Sequence, residues 1–388
     1  MAILKGRTTC PAKINLHLAV GEPYIEKHSG RSFHRICTLM QGVYFQGVRL
    51  NEDKDQLEWE EQGGDLLELE LSPERVQSRD EVQLTLEAQP APCPTEDNLV
   101  CRAAKAYVER LDCRFWPQRM HFSLKKRIPQ EAGLGGGSAN AAITLKLLNR
   151  LLPPYCGSPA LSVDTMSELA AGLGSDVPFF LRDFGSFPGS LAWCLGRGEQ
   201  VVSLSERLVE QWQELQSQYR LWLVKPRGIS CPTGEMYRRL DSRPRRAELD
   251  HLMLERQLSG LMAEGLSENS PLVRFLHNDF SLAVRALAGR ECPGAGETGA
   301  GETGDIEQEK QTAEKYQDFR VLATLPQYLY SLAASWAAMS GSGSSFFVWF
   351  PAGLSQMEIL KGLTAFPHPL EIFAGQSCSV TTGQYHLE

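Results

Sequence analysis

The sequence predicts an α+β fold with two domains. The chain has 388 residues, and a globular domain usually takes ~100–200 residues. Strand-like segments of period two and helix-like segments of period three to four are mixed along it. A glycine-rich segment joins one predicted strand to one predicted helix. With 42% hydrophobic and 22% charged residues, the composition is that of an ordinary globular protein.

The first predicted strand covers residues 12–20. Apolar residues alternate there with polar ones, and period two is typical of a half-buried strand. Lys13 and Asn15 belong to the polar set. The pattern therefore predicts that these two side chains project from one face of the strand.

The rest of the first half alternates between strand and helix patterns. A helix after the glycine-rich segment is expected to end at Pro153-Pro154, since proline lacks the N–H that helices need. Strands are predicted at 43–50, 66–71, 82–88 and 120–128, and helices at 97–111, 139–152 and 163–172.

The second half is predicted to start a new domain. A polar connector helix at 205–218 precedes a strand that begins at 221–224, so the domains are predicted at 1–204 and 219–388. A helical region at 249–287 and a buried strand at 346–350 follow.

Residues 291–314 differ in composition from their surroundings. They contain a short Gly-Ala-Gly-Glu-Thr repeat with no apolar residue larger than alanine. Such a segment cannot bury a core, so the sequence predicts a disordered surface insertion.

The segment at 129–142 carries the strongest functional signal, with four glycines within positions 133–137. Glycines let backbone N–H groups approach an anion, and a following helix N-terminus adds partial positive charge. No lysine follows Gly137, which excludes the P-loop pattern, and Ser138 stands where a dinucleotide motif needs glycine. By itself, the segment is equally compatible with a flexible loop whose helix is capped by Ser138.

Further motifs decide between these interpretations. Pro129-x-x-x-Gly-Leu-Gly-Gly-Gly-Ser-x-Asn-Ala-Ala resembles the central motif of the galactokinase, homoserine kinase, mevalonate kinase and phosphomevalonate kinase (GHMP) superfamily. Residues 11–16 resemble its first motif and residues 341–345 its third. Three more blocks resemble the 4-diphosphocytidyl-2-C-methyl-D-erythritol kinases within it: Phe33-His34 ahead of Thr38-Leu39, Glu96–Leu99 and Gly174–Pro178.

The resemblance implies a specific architecture. The N-terminal domain would be ribosomal-protein-S5-domain-2-like and would bind ATP. The C-terminal domain would be a ferredoxin-like α/β plait that contributes to substrate binding.

The resemblance also implies the catalytic and nucleotide-binding residues. Lys13 and Asp176 would meet at the acceptor hydroxyl, with Asp176 as base and Lys13 as its electrostatic partner. A simpler interpretation makes Asp176 a helix N-cap. Asn98 and Lys126 would contact the adenine side, and Ser138 is a candidate Mg²⁺ ligand. The ATP phosphates would contact Gly133, Leu134, Gly135, Gly136, Gly137 and Ser138.

Substrate recognition is expected to involve aromatic rings. Phe33 and Tyr237 would sandwich a cytosine that His34 hydrogen-bonds, because stacking contributes ~1–3 kcal/mol per base. Alternatively, both are core aromatics. The family's usual Asp-Gly-Tyr-His reads Arg31-Ser32-Phe33-His34 in this chain. The remaining predicted substrate-binding residues are Asn15, Thr233, Gly341 and Gly343.

The resemblance implies phosphorylation of the 2-hydroxyl of 4-diphosphocytidyl-2-C-methyl-D-erythritol by ATP and Mg²⁺, in the non-mevalonate isoprenoid pathway. A sister kinase acting on mevalonate or homoserine is one alternative. A non-catalytic ligand sensor on the same fold is another, although a sensor needs no proton acceptor such as Asp176.

Charge and cysteine usage narrow the partners. A net charge of −8 argues against a nucleic-acid binder. Ten cysteines are scattered without metal-site spacing, and neither a secretory signal nor a long apolar run is seen. The sequence therefore predicts a cytoplasmic enzyme with a small-molecule substrate, no membrane partner and an oligomeric state that stays open.

Overall fold

The computed structural model describes residues 3–26, 30, 32–51, 53–54, 56–59, 63–91, 93–182, 191–241, 250–288, 305–377 and 386–387. Strands and helices are mixed along these residues, and nearly all strand pairs are antiparallel, as the α+β class predicts. The strands are β1 (Leu4–Cys10), β2 (Ala12–Ile25), β3 (Ser32–Asn51), β4 (Gln56–Trp59), β5 (Asp65–Leu71), β6 (Arg75–Val76), β7 (Gln83–Gln89), β8 (Trp116–Pro117), β9 (Arg119–Lys125), β10 (Leu191–Leu195), β11 (Gln200–Ser203), β12 (Tyr219–Pro226), β13 (Trp336–Met339), β14 (Phe346–Pro351), β15 (Leu370–Ser377) and β16 (His386–Leu387).

The helices pack on these strands and include most of those that the sequence predicts. They are α1 (Leu99–Arg110), α2 (Gly136–Cys156), α3 (Val163–Leu173), α4 (Val177–Leu181), α5 (Glu206–Ser217), α6 (Thr233–Asp241), α7 (His251–Leu261), α8 (Pro271–Phe275), α9 (Asp279–Ala288), α10 (Asp305–Ser331) and α11 (Gln356–Thr364).

Two large sheets organise the fold. One has the order β16-β1-β5-β9-β7, in which β7 and β9 are parallel. The other has the order β11-β10-β3-β15-β12-β14-β13, with β2 and β4 also paired to β3. The first sheet forms a core with α1 and α2. The buried residues of this core include Tyr107, Phe122 and Leu148.

The long strand β3 joins the two halves of the chain. Its first part pairs with β2 and β10, and its second part pairs with β15 and β4. One sheet thus contains strands from both sides of the boundary expected between residues 204 and 219, which itself stays a prediction.

The strand β2 differs from the expected half-buried strand. Every residue from Ala12 to Gly21 is buried, including Lys13 and Asn15. The apolar set enters the core, and the polar set is covered by the segments that form the candidate active site. The prediction of one solvent-exposed face was therefore wrong, although both polar side chains do share a face.

Helix α2 is longer at both ends than its pattern predicts. It begins at Gly136 and continues through Pro153 and Pro154 to Cys156. The fixed φ of proline is compatible with a helical last turn, and Tyr155 is packed there with its hydroxyl donating to the Ser72 carbonyl at 2.9 Å. The helix ends at Gly157, whose φ of 71° is left-handed.

The predicted insertion at 291–314 is only partly described. Residues 291–304 lie outside the described residues, as does Arg31 of the altered motif. Residues 305–314 belong to α10, and the disordered insertion itself stays a prediction. In the described part of the chain, no helix has the length and apolar character needed to cross a membrane.

Candidate active site

Lys13, Asn15 and Asp176 meet at one end of β2. Lys13 Nζ donates to Asn15 Oδ1 at 2.6 Å and lies 3.5 Å from Asp176 Oδ2. Only 4% of Lys13 is exposed. A buried ammonium requires compensation by nearby negative or polar groups, and these two neighbours supply it.

A buried threonine supports this cluster from the neighbouring strand. Thr38 on β3 is fully buried. Its Oγ1 accepts from Asn15 Nδ2 at 2.9 Å and donates to the His17 carbonyl at 2.6 Å. The amide of Asn15 is thereby held with its oxygen toward Lys13.

Asp176 occupies the N-cap position of α4, but its side chain makes no capping hydrogen bond. Its carboxylate is paired with Lys13 instead, and its side chain is 27% exposed. The geometry therefore leaves the carboxylate available at the cavity surface, and N-capping does not explain its position.

The glycine segment wraps tightly around the same cluster. Gly133 and Gly135 have φ of 71° and 70°, a conformation that favours glycine. A Cβ on Gly133 would lie 1.9 Å from the Ser340 carbonyl oxygen. The Leu134 carbonyl accepts from the Lys13 backbone N–H at 2.9 Å, so the loop is fixed to β2.

The start of α2 places this loop at a helix N-terminus. Gly135 is the N-cap and Gly136 the first helical residue. Ser138 therefore lies in the first turn and is not the cap. Free backbone N–H groups of a first turn form a ready anion site.

A second glycine turn, residues 340–343, faces the first. Gly341 and Gly343 have φ of 54° and 91°. Asn278 Nδ2 donates to the carbonyls of Met339 at 2.7 Å and Gly341 at 2.8 Å. The amide of Asn278 thus holds the turn against Lys13 and Asn15, whose polar atoms lie 3.3 Å from a Cβ built at Gly341.

Asn98 and Lys126 have structural partners as well as positions on the cavity. Asn98 caps α1 through its Oδ1, which accepts from Val100 N at 3.0 Å. Lys126 Nζ pairs with the fully buried Asp65, whose other oxygen accepts from Arg127 N at 2.7 Å and Ile128 N at 2.8 Å. Asp65 therefore sets the position of Lys126 beside the glycine loop.

The aromatic end differs from the expected sandwich. His34 and Tyr237 stack directly on one another, with ring centroids 4.6 Å apart and an interplanar angle of 16°. The ring centroids of Phe33 and Tyr24 are 6.5 Å apart. The Arg197 guanidinium carbon lies over the Phe33 ring, 5.1 Å from its centroid. Neighbouring strand residues point to opposite faces, so Phe33 does not face Tyr237 in this geometry, and a base held between these two rings stays a prediction.

Tyr237 is held in place and kept neutral. Phe280 packs edge-on against its ring, with centroids 5.0 Å apart. Burial, with a smaller contribution from the charge of Asp176, raises the pKa of the Tyr237 hydroxyl well above its ordinary value. Tyr237 is therefore protonated throughout the physiological range.

Lys13, Asn15, Asp176, the glycine loop and Tyr237 line one cavity of about 490 Å³. Thr233 also lines it, and its Oγ1 is 3.0 Å from Ser342 Oγ. Phe33, His34 and Gly343 do not line it, although Gly343 belongs to the facing turn. The predicted residues on its wall are Lys13, Asn15, Asn98, Lys126, Gly133, Leu134, Gly135, Gly136, Gly137, Ser138, Asp176, Thr233, Tyr237 and Gly341.

Sequence reasoning missed the residues that hold this arrangement together. Thr38 was noted only as part of a motif, and Asp65, Asn278 and Phe280 carried no signal of their own. Asn278 lies inside the helical region predicted at 249–287, so its sequence position carried no sign of its role. Only the fold brings its amide to the glycine turn.

Comparison with known proteins places the chain in a family. A model of the N-terminal domain of GHMP kinases matches residues 98–183. The 4-diphosphocytidyl-2-C-methyl-D-erythritol kinase of Prochlorococcus marinus (strain MIT 9301) is 31% identical over 279 residues, 71% of this chain and 72% of the relative. The chain belongs to the 4-diphosphocytidyl-2-C-methyl-D-erythritol kinase family.

Other relatives of this kinase agree. The enzyme of the same name from Corynebacterium glutamicum (strain R) is 30% identical over 278 residues, covering 71% of this chain and 73% of the relative. A crystal structure of 4-(cytidine 5'-diphospho)-2C-methyl-D-erythritol kinase matches with a TM-score of 0.54 and 24% identity, over 95% of this chain and 98% of that chain. This structural match supports the GHMP kinase fold that the sequence predicts.

Proposed function

We propose that this kinase transfers the γ-phosphoryl group of ATP to the 2-hydroxyl of 4-diphosphocytidyl-2-C-methyl-D-erythritol, giving the 2-phosphate and ADP. The observation that carries the proposal is the Lys13–Asp176 pair, 3.5 Å apart, on the wall of the cavity that the glycine loop also lines. The names of the related kinases supply the acceptor.

The nucleotide phosphates fit the glycine loop. Backbone N–H groups at the start of α2 donate to phosphate oxygens, and the absence of a Cβ at Gly133 and Gly135 leaves the close approach open. Asn98 and Lys126 lie on the same wall and are proposed to contact the nucleoside side.

The acceptor hydroxyl is proposed to lie between Asp176 and Lys13. Asp176 accepts the hydroxyl proton as the oxygen forms a bond to the γ-phosphorus. The bond from that phosphorus to the β,γ-bridging oxygen breaks, and ADP leaves. Lys13 stabilises the negative charge that develops on the reacting oxygens.

Mg²⁺ is proposed to enter with the nucleotide. In the described part of the chain, no group of three or more His, Cys, Asp or Glu forms a metal site. Ser138 and Glu131, which carry oxygen ligands, do line the cavity beside the loop. Such a sparse set fits Mg²⁺, which takes few protein ligands beside phosphate oxygens and water and offsets their charge.

The cytidine end is proposed to bind at Tyr237 and His34. Their rings already stack on one another, so a cytosine would have to stack on an outer face or separate them. Thr233, Ser342 and Gly341 lie next to this position and are proposed to contact the polar part of the acceptor.

The test measures ADP release with ATP, Mg²⁺ and a panel of acceptors. The panel contains 4-diphosphocytidyl-methylerythritol, methylerythritol 4-phosphate, mevalonate and homoserine. Turnover with the cytidylated compound alone supports the proposal. Turnover with mevalonate or homoserine instead would leave a kinase with a different acceptor, and ATP binding without turnover would favour the sensor.

A variant tests the role of the carboxylate. Asp176→Asn keeps the shape of the side chain but removes the proton acceptor. We expect kcat to fall by about 10²–10⁴-fold, while the Kd for ATP measured by calorimetry stays within about threefold. An Asp176→Asn enzyme of unchanged kcat would exclude Asp176 as the base.

A further inference from the structure

The described part of the structure contains a second cavity, of about 780 Å³, that shares no lining residue with the candidate active site. It lies where β3, β12, β14 and β15 meet α5 and α11. Its volume is within the range of small-molecule sites. Gln41 on its wall is next to Met40, which lines the candidate active site, so β3 separates the two cavities.

A buried amide is fixed on the wall of this cavity. Gln41 is 1% exposed. Its Oε1 accepts from Trp212 Nε1 at 3.3 Å and from Gln216 Nε2 at 2.7 Å. Because an indole N–H can only donate, the amide orientation is determined. Its NH₂ group is therefore on the opposite side, and no described residue accepts its hydrogens.

A second buried donor lines the same cavity. Trp349 is 2% exposed, and its Nε1 has no hydrogen-bond partner among the described residues. A buried donor without an acceptor is costly and uncommon, but this indole N–H is closed off from the cavity and is not available to a ligand. The Gln41 NH₂ group, for which no hydrogen bond to a described residue is found, favours a ligand that brings acceptor oxygens.

Among the described residues that line the cavity, the charged side chain is that of an arginine. Arg220 lines it and donates through Nη1 to the Leu354 carbonyl at 2.8 Å. Within the described residues no carboxylate forms an ion pair with Arg220, and no acidic residue is part of the lining. The rest of the wall includes the aromatic rings of Tyr44, Trp59 and Tyr219.

We propose that this cavity binds a small anion with a flat, unsaturated body, whose acidic oxygens contact Arg220 and Gln41 and whose body packs on the aromatic rings. A carboxylate and a phosphate ester share this chemistry. A nucleotide at the catalytic cavity would not compete with such a ligand, because the two cavities share no lining residue.

The test uses 8-anilino-1-naphthalenesulfonate, an aromatic anion that fluoresces when bound in an apolar site. The 388-residue chain is titrated with this probe, with and without saturating ATP and Mg²⁺. We expect saturable binding at one site that ATP does not displace. Loss of the signal on adding ATP would place the probe in the catalytic cavity and overturn the proposal.

Two variants identify the cavity. Gln41→Glu keeps the acceptor for Trp212 and Gln216 but removes the donor and adds negative charge. Arg220→Gln removes the cation from a partly exposed position and should fold even if the first variant does not. We expect the probe Kd to rise about tenfold or more in each, since hydrogen bonds to charged groups contribute about that factor.

Arg102→Gln is the matched control, because Arg102 is exposed on α1 and does not line the cavity. We expect its probe Kd to equal that of the unmodified kinase. A probe Kd that is the same in Arg220→Gln and Arg102→Gln would overturn the proposal.

Competition distinguishes the classes of anion. Benzoate, phenyl phosphate and neutral benzyl alcohol are each added to the bound probe. We expect one or both anions to displace it while benzyl alcohol does not, and the stronger competitor assigns carboxylate or phosphate. Equal displacement by benzyl alcohol would show that the cavity does not select anions.

Discussion

The two ends of the catalytic cavity are built in different ways. At the phosphate end, backbone and side-chain hydrogen bonds connect the glycine loop, β2 and the second glycine turn, as between Ser340 Oγ and the Gly133 carbonyl at 3.0 Å. At the aromatic end, His34 depends on ring stacking with Tyr237 and on Asp241, whose side chain is 42% exposed. The comparison teaches that hydrogen bonds to the backbone fix the phosphate end, whereas ring stacking and a partly exposed carboxylate hold the aromatic end.

The largest expected effect tests how rigid the phosphate end is. Gly133→Ala forces a Cβ against the Ser340 carbonyl oxygen and a left-handed φ on alanine. We expect the unfolding free energy to fall by roughly 4 kcal/mol or more. If the glycine loop instead separates from the turn at 340–343, we expect ATP binding to be lost. Thermal unfolding and ATP calorimetry measure the two outcomes.

Gly172→Ala is its control. Gly172 lies in α3 with open space around its Cα, so alanine should be neutral or stabilise by about 0.5–1 kcal/mol. Equal effects of the two substitutions would contradict the tight packing of the loop.

A substitution of Lys126 tests whether this side chain stabilises the protein through Asp65 or serves only to contact the nucleotide. Lys126→Met leaves the buried carboxylate of Asp65 without its cation. We expect the unfolding free energy to fall by about 3–5 kcal/mol even without nucleotide. Denaturant unfolding of the free enzyme checks this. If Lys126→Met lowered the unfolding free energy only in the presence of ATP, Lys126 would instead act purely as a contact to the nucleotide.

The aromatic end is tested by a pair of variants. Tyr237→Ala removes the stacking ring on the cavity wall, and we expect the acceptor KM to rise about 5–100-fold, from ~1–3 kcal/mol per stacked base. Phe33→Ala removes a ring that lies beneath Arg197, and its KM should change less than about threefold. Steady-state kinetics at saturating ATP measures both. A larger effect at Phe33 would mean that bound substrate reorganises β3.

The smallest expected effect concerns the support of Asn15. Thr38→Val is nearly isosteric and removes the hydroxyl that orients the Asn15 amide. We expect kcat to fall about five- to tenfold with little change in the KM for ATP, because about 1 kcal/mol of orientation is lost. Thr38→Ser should restore most of kcat. A variant that loses stability but keeps kcat would give Thr38 a purely structural role.

The parts of this structure that the sequence predicts are those set by local backbone chemistry. The glycine loop, the helix α1 and the buried strand β14 follow from residue types with narrow conformational preferences. The full burial of β2 did not follow, because the covering turn comes from residues about 330 positions later in the chain.

The sequence also did not predict the direction of the side chains at the aromatic end. Phe33 and His34 are neighbours, so a strand sends them to opposite faces, but the motif alone does not say which face meets Tyr237. The roles of Asn278 and Asp65 depend equally on tertiary contacts with distant backbone groups.

Because β3 hydrogen-bonds to strands from both ends of the chain, neither half can complete its sheet alone. A cut between residues 204 and 219 would expose the edges of β3 and β15, and bare edges invite aggregation. We therefore expect calorimetry to show one cooperative melting transition. Halves expressed separately should be insoluble, and co-expressed halves should reassemble.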